Sequence, residues 1–299
     1  MENNLENRTK DNRSNYILAG SILGAALMLS LSWIYIERFN TPAKSADLTA
    51  LAGKVTPAKG VVLPVKWGDL GIRMAEAGII DKDKFTEVYA GRGGLDSRSL
   101  ALLNEKNNGD VTITPQNAQI LLNLFWALGL GNKNEILDKG PMKDPKYGGA
   151  DRFASTGGWT LAKGNAMEHY SVHEFISLTP EQQSLVEETS KNIYRTCCGN
   201  STYFPDCNHG MAMLGLLELM ASQGISESDM YKYALAVNSY WFPDDYLTIA
   251  AFLKERGIEW KKADAKNILG ANFSSGSGFR AIKEQVKQPV NNGGGSCGV

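Results

Sequence analysis

From Tyr16 to Ile36 the chain reads YILAGSILGAALMLSLSWIYI, without one charged residue. A helix crosses a hydrocarbon core of about 30 Å with about 20 apolar residues, because each residue advances about 1.5 Å. Only an intrahelical ladder or a closed barrel satisfies the backbone in that medium. The run meets this length and constrains the chain more than any other feature. Tyr16 stands at one end and Trp33 and Tyr35 at the other, where interfacial aromatics sit. A cleaved signal fits less well, since the polar tail Met1–Asn15 is long and no Ala-x-Ala site follows the run. Nor does a lipidation cysteine follow it. The sequence therefore predicts a transmembrane anchor over residues 16–37.

Arg8, Lys10 and Arg13 precede the run, while Arg38 and Lys44 follow it. That bias puts residues 1–15 in the cytoplasm as a polar tail and everything beyond the anchor outside. Residues 38–64 are rich in Thr, Pro, Ala, Lys and Gly and read as a flexible tether. The expected localisation is thus a single-pass cell-membrane protein with an extracytoplasmic domain, held to the bilayer by its N-terminal helix. Lys and Arg number 31 against 32 Asp and Glu, a net charge of -1, so nucleic acid is not an expected partner.

Residues 65–287 are expected to fold as one all-α domain. Asp69 and Asp81 can cap short helices. Thr114 offers an N-cap followed by Pro115, with Gly129 and Gly131 as stops. Between them Ile120, Leu121, Leu124, Phe125 and Leu128 recur at helical spacing, the pattern of a buried core helix. Thr179 and Gln182 form a capping box, Ser226 and Asp229 mark another start, and Pro243 opens a helix closed by Gly257. No run alternates apolar and polar residues as a half-buried strand requires. Lys139 to Trp159 is a long Gly-, Pro- and Asp-rich loop of the kind that borders sites. The end, residues 288–299, reads as a flexible Gly-rich tail carrying Cys297.

Every histidine of the chain (His169, His173, His209) and all cysteines but Cys297 (Cys197, Cys198, Cys207) fall between residues 169 and 209. These side chains carry the lone pairs that soft and borderline metals prefer. His169 and His173 are four apart and on a helix would share one face. Cys197 and Cys198 are adjacent, and could form a vicinal disulfide, bond elsewhere, or present two thiolates to a soft ion. Cys207 precedes a helix expected to start near Asn208 or His209, whose positive end favours a thiolate. Asp206 or Asn208 would cap that helix. Met211 and Met213 could join as ligands or simply pack the core.

Other chemistries find little support. HYSVH lacks the Glu that follows the first His in zinc peptidases, and no CxxCH, CxxC or four-cysteine run is present. A calcium loop from Asn104 would need Glu where Pro115 stands. SSGSG at Ser274 to Gly278 resembles a nucleophile elbow without the strand before it. The expectation is a membrane-anchored protein that binds copper or zinc, or haem iron, or does thiol redox chemistry. Cys197, Cys198, Cys207 and His209 would be its primary groups, His169 and His173 would complete the site, and Cys297 would be an auxiliary thiol. The alternative is an interaction domain of a cell-envelope assembly, stapled by disulfides.

Overall fold

The computed structural model describes residues 42–286, together with the isolated helical positions Met28 and Ser30. The expected anchor, the cytoplasmic tail and the Cys297 tail lie outside the described residues. Among those described, no helix is long and apolar enough to cross a membrane. The chain divides into two units, residues 1–50 and 51–299, and every residue of the hydrophobic core belongs to the second.

Most of the described chain is helical. Two helices are apolar nearly all round and therefore sit at the centre: α5 (Ala118–Gly131) and α8 (Asn208–Ser222). They cross at two glycines. A Cβ on Gly129 would stand 2.1 Å from the Met211 carbonyl oxygen, and one on Gly215 would stand 2.5 Å from that of Phe125. Glycine at both positions lets the two backbones touch. Gly129 thus serves the crossing rather than ending α5, which continues to Gly131.

α1 (Pro42–Val55) runs from the first unit into the second, where the central pair is accompanied by α2 (Leu70–Glu76), α3 (Lys82–Ala90), α4 (Ser97–Asn104), α6 (Glu135–Lys139) and α7 (Pro180–Lys191). The set is completed by α9 (Glu227–Trp241), α10 (Pro243–Glu255), α11 (Ala265–Leu269), α12 (Ala271–Ser274) and α13 (Gly276–Lys283). Their starts follow local chemistry. Asp81 accepts from the amides of Asp83 and Lys84, Thr179 and Gln182 form a reciprocal capping box, and Ser226 accepts from Asp229. The hydroxyl of Thr114 accepts from the Asn117 amide one turn ahead of regular α5, and the Asn117 side chain returns the bond.

Two expectations are corrected. A two-stranded antiparallel sheet accompanies the helices, pairing β1 (Val61–Gly68) with β2 (Asn108–Ile113) across the intervening helices α2 to α4. Leu63, Val65 and Trp67 point inward and are buried, and the register slips between Val62 and Lys66, where Pro64 cannot donate to a ladder. The outward Val62 is apolar and 55% exposed, which hides the alternation in the sequence. Part of the stretch expected as a tether is regular structure: α1 occupies Pro42–Val55, β1 begins at Val61, and Leu51 and Val55 are buried in the core.

Candidate metal and thiol site

The loop from Asn192 to Asp206 joins α7 to α8 and carries the adjacent cysteines. It is tied down on several sides. The Tyr194 amide donates to Leu269 O (2.8 Å), Thr202 to Ile193 O (2.8 Å), and Gly276 to Cys198 O (2.7 Å). The Thr196 hydroxyl donates to the Asp245 carboxylate. The long loop before it closes over the same place, since Tyr147 and Phe153 stack with Phe204 at 5.2 and 5.3 Å. The Ser155 amide also donates to Asp206 O (3.2 Å). The loop expected to border a site packs against the residues just before Cys207.

Cys207 is itself the N-cap of α8, accepting at Sγ from the Gly210 amide at 3.4 Å. This replaces the expected caps Asp206 and Asn208. A second donor reaches the same sulfur: Arg195 Nε, at 3.0 Å. The Arg195 guanidinium is 1% exposed, and its other nitrogens bond Asn200 O (2.8 Å), Phe204 O (3.3 Å) and Asp206 Oδ1 (2.6 Å). Gly210 makes room for it, because a Cβ there would stand 2.6 Å from Arg195 Cζ. The remaining oxygen of Asp206 accepts from Asn200 Nδ2 at 2.7 Å. A buried cation thus lies against the sulfur, neutralised on its far side by one carboxylate.

Cys197 Sγ and Cys198 Sγ each stand 3.9 Å from Cys207 Sγ. All three are free thiols, Cys197 exposed, Cys198 half-buried and Cys207 buried. Hydrogen bonds from Cys197 and Cys198 hold the Cys207 thiol well below the ordinary range, and Arg195 and His209 add to this against the effect of burial. The complementary shifts fall on the donors. Cys197 is pushed up chiefly by its bonds to Cys198 and Cys207. For Cys198 the bond with Cys197 lowers the value, but the bond to Cys207 and burial prevail and push it up to about 11. The negative charge of the cluster therefore rests on Cys207.

His209, two residues into the cluster's helix, is 3% exposed and its Nδ1 has no hydrogen-bond partner within the protein. Its ring packs on Phe242 at 4.4 Å and on Trp241 at 5.8 Å. Two sets of potential ligand atoms lie mutually within 4.8 Å, one of Cys197, Cys207 and His209, the other of Cys198, Asp206 and Cys207. The second is compromised, because both Asp206 oxygens already serve Arg195 and Asn200. The first contains no carboxylate, although its Cys207 sulfur already accepts from Gly210 and Arg195. With metal–sulfur bonds of about 2.3 Å, two ligands of a tetrahedral centre stand about 3.8 Å apart, close to the 3.9 Å between Cys197 and Cys207.

His169 and His173 do not complete this site. They are not on a helix: His169 ends the 3₁₀ turn Ala166–Glu168, and Ser171 takes φ 58°. The chain then caps α5, with Ser171 and His173 amides donating to Leu130 O and Gly131 O, both at 2.9 Å. His169 Nε2 faces Lys163 O at 3.0 Å, and Nδ1 faces His173 Nε2 at 3.0 Å. A carbonyl only accepts, so His169 Nε2 carries the proton and Nδ1 accepts from His173. No lone pair of His169 is left for a metal. Neither histidine belongs to a group of three potential ligands among the described residues. Met211 and Met213 are core side chains at 0% and 1% exposure.

Arg195 is the residue of this cluster that sequence reading passes over. Its signal is faint, one Arg two positions before the cysteine pair and one Gly three positions after Cys207. Comparison with protein-family models, with curated proteins and with solved structures finds no match.

Proposed function

We propose that the chain holds a soft or borderline transition-metal ion, copper or zinc, through Cys197, Cys207 and His209, with Cys198 as a neighbouring thiol. The observation that carries this reading is that two sulfurs and one buried imidazole offer ligand atoms all within 4.8 Å of one another, while Nδ1 of that imidazole has no partner in the protein. The lowered pKa of the Cys207 thiol supports it too, since a thiol must lose its proton before it binds a metal. Cys197 is exposed, so an ion could enter and leave by ligand exchange. Donors that converge on one point suit a bare ion better than haem, whose iron takes protein ligands only along its axis. In this reading the domain stands outside the cell membrane on the anchor of residues 16–37.

The test is elemental analysis of the full chain, purified anaerobically, beside a Cys207→Ser, His209→Ala double variant. About one equivalent of copper or zinc, lost in the variant, is the expected result. No metal in either protein, after incubation with each ion, would remove the proposal.

A second reading, thiol redox, has one observation in its favour: a thiolate with two thiols at 3.9 Å. A disulfide would need either pair to close by about 1.9 Å, with two electrons and two protons passing to an oxidant. Peroxide treatment followed by peptide mapping distinguishes it, because only this reading requires a Cys207 disulfide to form and be reduced reversibly. A scaffold stapled by disulfides would instead require Cys197, Cys198 and Cys207 to be paired in the protein as made.

A further inference from the structure

We propose that the chain binds a single-chain anionic amphiphile, a fatty carboxylate, in a groove between α9, the last turn of α1, the start of β1 and the turn Trp260–Lys262. The groove shares no lining residue with the cysteine cluster, and the proposal does not depend on the metal reading. It holds about 440 Å³, in the range of small-ligand pockets, and lies wholly in the second unit. Val55, Pro57, Val61, Leu235, Ala236 and Trp260 give it apolar walls. Val55 and Leu235 belong to the hydrophobic core, which fixes the walls in place. Three lysines, Lys54, Lys232 and Lys261, are its charged lining residues.

Charge identifies the ligand's head. No carboxylate lines this groove, whereas two other surface clefts, of about 660 and 460 Å³, are lined in part by Glu135, Asp138, Glu174 and Glu187 and by Glu227 and Asp264. The chain as a whole carries a charge of -1, so the lysine excess is local. Lys54 and Lys261 form no ion pair among the described residues. Lys232 stands 3.8 Å from Asp229 with both side chains more than half exposed, a loose and screened pair. An entering anion therefore meets two ammonium groups without counter-charge and a third that is weakly held. The Ser239 hydroxyl on the wall is already bonded to Leu235 O at 2.7 Å, which leaves recognition of a polar head to the lysines.

The walls identify the rest. Apolar surface beside a cationic lining matches a ligand divided the opposite way, one apolar chain and one anionic head. A lysine buries its methylenes along apolar surface while its ammonium stays in water, so all three can meet a head at the mouth. A fatty carboxylate commits its one chain to the groove. A bilayer phospholipid would leave its second chain outside.

The experiment is a calorimetric titration of the full chain, held in discs of zwitterionic lipid, with octanoate, decanoate and dodecanoate below their micelle concentrations. Empty discs are the blank. One saturable site is expected, with affinity rising about 4-fold for each methylene buried. Decanol supplies the same chain without the charge. The ratio of decanoate to decanol affinity should fall about 10-fold in the Lys54→Gln, Lys261→Gln double variant, since an exposed ion pair contributes up to about 5-fold. Ala236→Phe, which fills the groove, should weaken both ligands. No saturable binding above the blank overturns the proposal, and so does binding that a folded Ala236→Phe protein retains in full. A ratio unmoved in the double variant overturns it too, and both of those lysines are exposed, so folding does not depend on them.

Discussion

Replacing Gly215 by Ala is the most direct probe of how the central helices hold the site. A methyl at this position would lie 2.5 Å from Phe125 O, 2.6 Å from Gly129 N and 3.0 Å from Gly129 Cα. All three are backbone atoms, so no side chain can rotate aside. Ordinary contact begins near 3.4 Å, and the helices would have to separate by about 1 Å, enough to forfeit a quarter to a half of the dispersion between facing atoms. Overpacking of this kind costs about 3 kcal/mol at the upper end, whereas Ala in place of Gly in a helix returns about 1 kcal/mol. The net expectation is a loss of about 2 kcal/mol. Gly53 is the control: it lies in α1, exposed, with nothing within 4 Å of an added methyl. The same substitution there should gain about 0.5–1 kcal/mol. Urea unfolding of the two variants should move the midpoint in opposite directions at unchanged slope. Equal shifts, or a stable Gly215→Ala protein, would refute the close crossing as the organising contact.

The remaining predictions concern the site and its surroundings. Arg195→Ala strips partners from Asp206, Cys207 and two carbonyls at once and should cost about 3–5 kcal/mol in denaturant unfolding, far more than loss of an exposed arginine such as Arg98. The Cys207 thiol is depressed, so its contribution is full above the free thiol pKa of about 8.5 and is lost as pH falls through its own lower value. Wild-type stability relative to Cys207→Ser should therefore climb with pH toward about 8.5, and a flat difference would contradict the thiolate. Cys198 is raised to about 11 and Cys197 is raised as well, so stability should decline as pH rises from about 8.5, a decline that Cys198→Ser lessens and the Cys197→Ser, Cys198→Ser double variant lessens further. His173 is held below its usual value by burial and by His169. The unfolded chain then takes up a proton before the folded one does, and stability falls as pH drops below about 6.5. A proton-resonance titration that gives His173 an unperturbed midpoint would exclude this.

Much of the helical framework is legible in the residues. Asp81, Thr179 and Ser226 cap the helices they announce, and the apolar residues from Ile120 to Leu128 lie in a buried helix, because caps and helical periodicity act over a few neighbouring positions. The two-stranded sheet is less readable, since Val62 puts an apolar side chain outward and Pro64 interrupts the ladder. Local sequence also brings out the clustering of Cys197, Cys198, Cys207 and His209 and the helix start at Asn208. It misleads at His169 and His173, where a spacing of four suggests one helix face and the chain instead turns through Ser171 to cap α5. Only the tertiary structure separates the histidine pair from the thiols, and only it brings Arg195 onto Cys207. The reason is physical: periodicity and capping are properties of contiguous residues, whereas burial of a charge and convergence of ligands depend on which distant segments α5 and α8 draw together.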